Sequence, residues 1–85
     1  MQREPELDRA WYNLGLLLAQ NGRESDGLAA LRRAEELSPA TADYPYAAAT
    51  IRWQTGDREG ARAAARRTLA IDPAHSGARA LISQQ

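Results

Sequence analysis

Apolar residues recur every three or four positions through most of the chain, with polar residues between them. This spacing predicts amphipathic helices, because it places apolar side chains on one face of a helix of 3.6 residues per turn. The first stripe runs from Leu7 to Leu18 and stops at Asn21-Gly22, where glycine accepts the left-handed conformation that follows a helix. The later stripes predict helices over residues 28–37, about 43–55, about 58–71 and about 74–83. Alternating runs typical of strands are nearly absent, so an all-α protein is predicted.

The second half of the chain repeats a pattern of the first half. When the sequence is aligned with a shifted copy of itself, Tyr12 pairs with Tyr46 and Gly22 pairs with Gly56. The same offset also pairs Gln20 with Gln54, Ala29-Ala30 with Ala63-Ala64, Arg32-Arg33 with Arg66-Arg67, and Pro39-Ala40 with Pro73-Ala74. A period in this range is typical of stacked repeats, in which each unit buries its apolar face against the next. The pattern therefore predicts antiparallel helix pairs stacked as an α–α superhelix.

The spacing of particular residues within the first period resembles a known family. These residues are Trp11, Leu14, Gly15, Leu18, Gly27, Leu31, Ala34 and Pro39, and their pattern is similar to a tetratricopeptide repeat (TPR). The second copy keeps Ala61 and Pro73 but departs from the pattern at Pro45, and the third copy is only an opening helix. The resemblance implies one TPR domain over residues 1–85, with repeat 1 at about 8–41, repeat 2 at about 42–75 and a capping helix at about 74–83.

Large and small residues alternate in a way that favours close helix packing. Glycine and alanine at the narrow positions let two helices approach, and Trp11, Leu14 and Leu31 are expected to fill the adjoining gaps. Replacing a buried Trp11 by alanine is then expected to cost about 3–5 kcal/mol. Pro45 is tolerated in a first helical turn if Asp43 is the N-cap.

Composition narrows the functional classes. The 11 basic residues, all arginine, balance 11 acidic ones to a net charge of zero, which argues against nucleic acid or an anionic membrane as partner. No secretory signal and no apolar stretch of membrane-spanning length is visible, so no membrane insertion is expected. We expect a soluble protein, with the cytoplasm favoured and the periplasm left open.

Residues able to carry chemistry are few. There is no cysteine, and His75 is the only histidine, expected as an exposed turn residue. The acidic pairs Glu4/Glu6 and Glu35-Glu36 are expected on solvated surfaces, so no catalytic residue, metal site or cofactor is predicted. A row of arginines at 58, 62 and 66 is either a basic stripe for an acidic partner or a solvated outer face with local ion pairs.

The family resemblance implies where a ligand would bind, because the first helix of each TPR pair lines a concave groove that takes peptides. The residues of this sequence that occupy the groove positions of the family pattern are Arg9, Tyr12, Asn13, Leu16, Gln20, Asp43, Tyr46, Ala47, Thr50, Trp53 and Gln54. The aromatic side chains are then either shared contact residues on this surface or partly buried by a neighbouring helix. One variant of the family binds a C-terminal carboxylate with Lys, Arg and Asn side chains. This groove has no Lys, and it has Leu16 and Thr50 where that variant has Asn, so the variant is not expected.

Three functions follow as hypotheses. The leading one is a non-catalytic scaffold that binds a peptide or helix of another protein in the groove. The alternative is a self-association module, and hence a homo-oligomer, or a fragment of a longer TPR array. An enzyme is the third class, supported only by His75 and scattered carboxylates.

Overall fold

A computed structural model describes residues 7–83, and every regular element in that part of the chain is an α-helix. The helices, in chain order, are α1 (Leu7–Gln20), α2 (Glu24–Leu37), α3 (Asp43–Gln54), α4 (Arg58–Ile71) and α5 (Ser76–Ser83). The prediction of an all-α helical repeat is confirmed. The prediction for Glu4 and Glu6 concerns residues outside the part of the chain that the structure describes.

The helices pack as two successive hairpins with a fifth helix at the end. α1 packs on α2 and α3 packs on α4, since connections of only a few residues reverse the chain. α2 also contacts α3, α4 contacts α5, and α3 lies beside both α1 and α5. This order places the first helix of each pair next to its counterpart, so that α1, α3 and α5 are neighbours in space.

Both hairpin turns depend on a glycine in the left-handed region. Gly22 has φ 83° and Gly56 has φ 91°, a conformation that L-residues with side chains rarely adopt. In the first turn the N–H of Arg23 donates to the carbonyl oxygen of Leu18, which closes the helix end at 2.9 Å. The helix stops predicted at these two glycines are therefore correct.

α3 begins at Asp43, as predicted, but two details of the helix starts differ from the prediction. Asp43 is the first residue of α3 and not its N-cap. The N-cap is Ala42, which makes no side-chain capping bond. Pro45 still falls in the first turn of the helix. α5 begins at Ser76 instead of about residue 74. Ala74 is held in a preceding turn because its N–H donates to Oδ1 of Asp72 at 3.2 Å.

The centre of the structure contains small residues at the predicted narrow positions. A Cβ added at Gly15 would lie 2.8 Å from the carbonyl oxygen of Gly27 and 2.9 Å from Cγ of Leu31, so α1 and α2 touch through their backbones. Leu31 is fully buried, as predicted. In the second pair Ala49 and Ala61 are likewise inaccessible to solvent.

The core role predicted for the first-helix residues needs correction. Leu14 is 41% exposed and Trp11 is only half-buried, with the guanidinium of Arg33 over its ring at 5.6 Å. Within residues 7–83, no helix covers Leu14 on this face of α1. The cost of replacing Trp11 by alanine should consequently fall below the 3–5 kcal/mol range that assumes full burial.

Candidate functional site

An open cavity of 320 Å³ lies between α3 and α5. Its lining consists of Tyr46, Thr50, Trp53, Gln54, Gly77, Ala80 and Leu81. Four of these residues were predicted as groove positions from the sequence. The cavity has aromatic and aliphatic walls, with a hydroxyl and an amide among them, which is the usual make-up of a ligand-binding cleft.

Tyr46 is fixed at one side of this cavity by α5 and the turn before it. Its ring lies against Gly77, where an added Cβ would come within 2.7 Å of Cζ of Tyr46. The ring also stacks, tilted, on His75 with centroids 4.5 Å apart. A side chain at position 77 would therefore displace the Tyr46 ring from its place against α5.

His75 is not the exposed turn residue that was expected. It is half-buried under Tyr46, and its Nδ1 accepts a hydrogen bond from the backbone N–H of Ala78 at 3.1 Å. This bond satisfies one of the free N–H groups in the first turn of α5. The histidine thus has a structural role: it caps α5 and supports Tyr46.

Trp53 lines the same cavity about two turns further along α3 and is half-buried. The guanidinium of Arg58, the first residue of α4, lies over its ring at 4.3 Å from the centroid. This distance is within the range of a cation–π interaction. The first arginine of the predicted basic stripe therefore contacts an aromatic residue of the site.

A second cavity, of 200 Å³, continues the surface from α3 to α1. It is lined by Leu16, Ala19, Gln20, Glu24, Thr50, Ile51 and Gln54. Thr50 and Gln54 line both cavities. The structure thus brings Leu16 and Gln20 of α1 together with Thr50 and Gln54 of α3, as the repeat phase predicted.

The remaining predicted groove residues of α1 and α3 lie nearer the start of both helices. Arg9 pairs with Asp43 at 3.8 Å, and both side chains are more than half exposed. The same guanidinium lies 5.4 Å from the ring centroid of Tyr12. Asn13 is exposed and Ala47 is buried, so these two differ in their access to a ligand.

Comparison with protein-family models identifies the first helix pair. A model described as Tetratricopeptide repeat matches residues 8–41, which run from α1 through α2 to the loop before α3. Residues 8–41 are a tetratricopeptide repeat. Comparison with curated proteins gave no match. Tetratricopeptide repeats are generally non-catalytic scaffolds for protein–protein interaction, and the TPR resemblance seen in the sequence is confirmed.

Tyr44 contacts the first helix pair, and sequence reasoning missed this contact. It is 1% exposed, and its hydroxyl donates to Oδ2 of Asp8 at 2.6 Å while its ring stacks on Tyr12 with centroids 5.1 Å apart. Burial, together with the hydrogen bond to Asp8, raises the pKa of Tyr44. The signal was available in the stripe Tyr44, Ala48, Ile51, whose spacing places all three on one helix face.

Tyr12 is consequently a contact between the two helix pairs as well as a groove candidate. Its ring is half-buried and packs on Tyr44, which belongs to the next pair. The sequence left open whether the aromatic residues are ligand contacts or partly buried, and for Tyr12 the structure shows the partial burial. Tyr46 and Trp53 are also half-buried but line an open cavity.

Groups that could support catalysis are dispersed across the described surface. Within residues 7–83, no cluster of three or more His, Asp or Glu side chains could hold a metal ion. Glu35 is not simply solvated: it accepts two hydrogen bonds from the guanidinium of Arg67, at 3.1 Å each. This pair joins α2 to α4.

None of the helices within residues 7–83 is both long and apolar enough to span a bilayer.

Proposed function

We propose that the chain is a protein-interaction scaffold that binds a peptide or a helix of another protein along the surface shared by α1, α3 and α5. The family match supports a role in protein interaction. The single observation that carries the binding mode is the cavity between α3 and α5, together with its continuation to α1 through Thr50 and Gln54.

The second helix pair contributes most of this surface, and we propose that it acts as a second tetratricopeptide repeat. It follows the first at the same offset that relates Tyr12 to Tyr46, and α3–α4 pack as α1–α2 do. α5 then has the position of an opening helix of a third unit. It covers the second pair through Ala78 and Leu81, which are buried.

The 320 Å³ cavity has room for at least one large apolar side chain of the partner. Tyr46, Trp53 and Leu81 offer apolar walls, and burial of a Leu-sized side chain contributes about 1.5–3 kcal/mol. Tyrosine and tryptophan also add contact area with few rotatable bonds, which lowers the entropic cost of binding.

Polar groups beside the cavity would orient the partner's backbone. The hydroxyl of Thr50 donates to the carbonyl oxygen of Ala47 at 2.8 Å, so its oxygen still has an acceptor site for a partner N–H. Gln54 is exposed and carries both a donor and an acceptor. These groups favour an extended or helical segment over a terminal carboxylate, because no residue that lines the cavity is charged and Arg9, further along the surface, is paired with Asp43.

The proposal is tested with the full chain as bait in a display library of random peptides. Enriched peptides are synthesised and their affinity is measured for the wild type and for Ala80→Arg, which adds a long side chain to the exposed position of α5 that lines the cavity. We expect at least about tenfold weaker binding, since the new side chain blocks the anchor pocket.

The matched control is Ala63→Arg, the same substitution at an exposed position of α4. It should leave the affinity unchanged. Enrichment of no peptide, or equal binding by Ala80→Arg and Ala63→Arg, would show that the cavity between α3 and α5 is not a binding site.

A further inference from the structure

The outer side of α1 carries a stripe of uncovered apolar residues. Leu7, Leu14 and Leu17 are 45%, 41% and 55% exposed, and Ala10 between them is also exposed. Four residues spaced three, four and three apart fall within one narrow face of a helix. We call these four residues the outer stripe of α1.

The equivalent positions of the next pair are covered. Ala10, Leu14 and Leu17 correspond, by the repeat offset, to three residues of α3: Tyr44, Ala48 and Ile51. Those three are only 1%, 5% and 6% exposed, because α3 packs them against the first helix pair. The outer stripe therefore has the geometry of a face that a helix covers, and large leucines exposed in a row are unfavourable in water.

Charge around the stripe favours an uncharged occupant. Residues 10–22 contain no charged side chain. Arg33, on the neighbouring helix, is already paired with Glu36 at 3.3 Å within its own helix. Its equivalent Arg67 instead reaches Glu35 of the preceding pair at 3.1 Å. The arginine at the position that bridges two pairs in the second repeat is thus paired within its own helix.

The spacing of the stripe identifies a helix that would fit it. A three-four-three pattern reads the same in both directions, so an antiparallel copy of α1 presents apolar residues at the same spacing. We propose that two copies of this chain associate through their outer stripes, with α1 antiparallel to α1 of the second copy. Leu7 then faces Leu17 of the second copy and Ala10 faces Leu14, which sets large residues against each other at the ends and large against small in the middle.

The size of the contact sets its strength. α1 has 14 residues and is about 21 Å long. One helix of this length buries less than the roughly 800 Å² per partner of a standard stable interface. The dimer is accordingly reversible, with monomer at low concentration and dimer at high concentration. An uncharged seam also makes it insensitive to salt, because no ion pair is screened.

Sedimentation equilibrium of the full chain between about 1 µM and about 1 mM tests this. The weight-average mass of the wild type should rise toward that of two chains. Leu14→Glu should weaken association by about tenfold or more, because it places a carboxylate of each copy in the apolar seam. Ala63→Glu, which adds the same charge on the exposed side of α4, should not. A monomer at every concentration, or a dimer unaffected by Leu14→Glu, would overturn the proposal.

Engineered cysteines test the antiparallel register, since the chain has none of its own. A mixture of Leu7→Cys and Leu17→Cys chains should form a disulfide-linked pair, because the two positions face each other. Either variant alone should not, since its two cysteines would be about 15 Å apart along the helices. Cross-linking of like positions would exclude the proposed register.

The two binding surfaces are independent. The outer stripe of α1 and the cavity between α3 and α5 share no residue. Peptides selected for the groove should therefore bind Leu14→Glu as well as they bind the wild type. Loss of dimerisation with intact peptide binding, or the reverse, would separate this inference from the proposed function.

Discussion

The two helix pairs pack their helices together through different residues at equivalent positions. In the first pair, Gly15 and Gly27 bring α1 and α2 into backbone contact, and Leu31 fills the space beside them. In the second pair, Ala49 and Ala61 occupy the positions of the two glycines, and the position of Leu31 is taken by Ala65, which is also fully buried. One hairpin combines very small residues with a large one, whereas the other uses residues of one size.

This difference shows that the hairpin geometry depends on the sum of side-chain volumes at the contact and not on any single residue. A tight contact with one bulky side chain and a looser contact lined with methyl groups both exclude water and fill the interior. They should respond differently to substitution, because a single side chain carries much of the burial in the first pair and several alanines share it in the second.

The largest effect is expected for Leu31→Ala. Leu31 is fully buried, so its truncation leaves a cavity and should reduce the free energy of unfolding by about 2–5 kcal/mol, measured by urea denaturation. The control is Leu28→Ala, a half-buried leucine on the same helix, which should cost less. An equal or smaller loss at Leu31 would mean that the first pair does not depend on this side chain.

Gly15→Ala and Ala49→Gly are reciprocal substitutions at matched positions. The methyl group at position 15 would lie 2.8 Å from a backbone oxygen of Gly27, so the helices must separate, and we expect a net loss of about 1–3 kcal/mol. Ala49→Gly should cost about 1 kcal/mol through backbone entropy and lost packing. If Gly15→Ala proves neutral in thermal melts, the close contact of the first pair is not required.

The smallest effect is expected at the helix starts, where the two pairs also differ. The side chain of Asp57 caps α4 by accepting from the N–H of Gly60 at 2.9 Å, whereas Arg23 makes no capping bond at α2. The bond from Gly60, followed by that from Arg52, lowers the pKa of Asp57 below its ordinary value of 3.8. Because the folded-state pKa is the lower one, the stabilisation is present above about pH 3.8 and is lost as the pH falls through the folded value.

Urea denaturation of wild type and Asp57→Asn at several pH values measures this. The wild type should be the more stable at pH 7, and the difference should disappear at the acid end. A constant gap between wild type and Asp57→Asn would contradict the assigned cap.

The sequence predicted the helices, both glycine turns and the buried Leu31. These features could be predicted because the apolar periodicity, the glycine that ends a helix and the repeat offset can be read directly from the order of the residues. It also predicted the joint surface of Leu16, Gln20, Thr50 and Gln54. It did not predict that Tyr44 would be buried between the pairs, nor that His75 would cap α5 beneath Tyr46. Both depend on side chains that meet only after the helices have packed.

The sequence by itself determined the repeating helical architecture, since a stripe of apolar residues and a glycine stop act within a few residues of one another. Only the tertiary structure decided which apolar residues are covered. Leu14 and Ala48 occupy the same place in the repeat, yet one is exposed and the other buried. A residue's burial depends on whether another helix lies against it, and the position of that helix is not encoded in the local pattern.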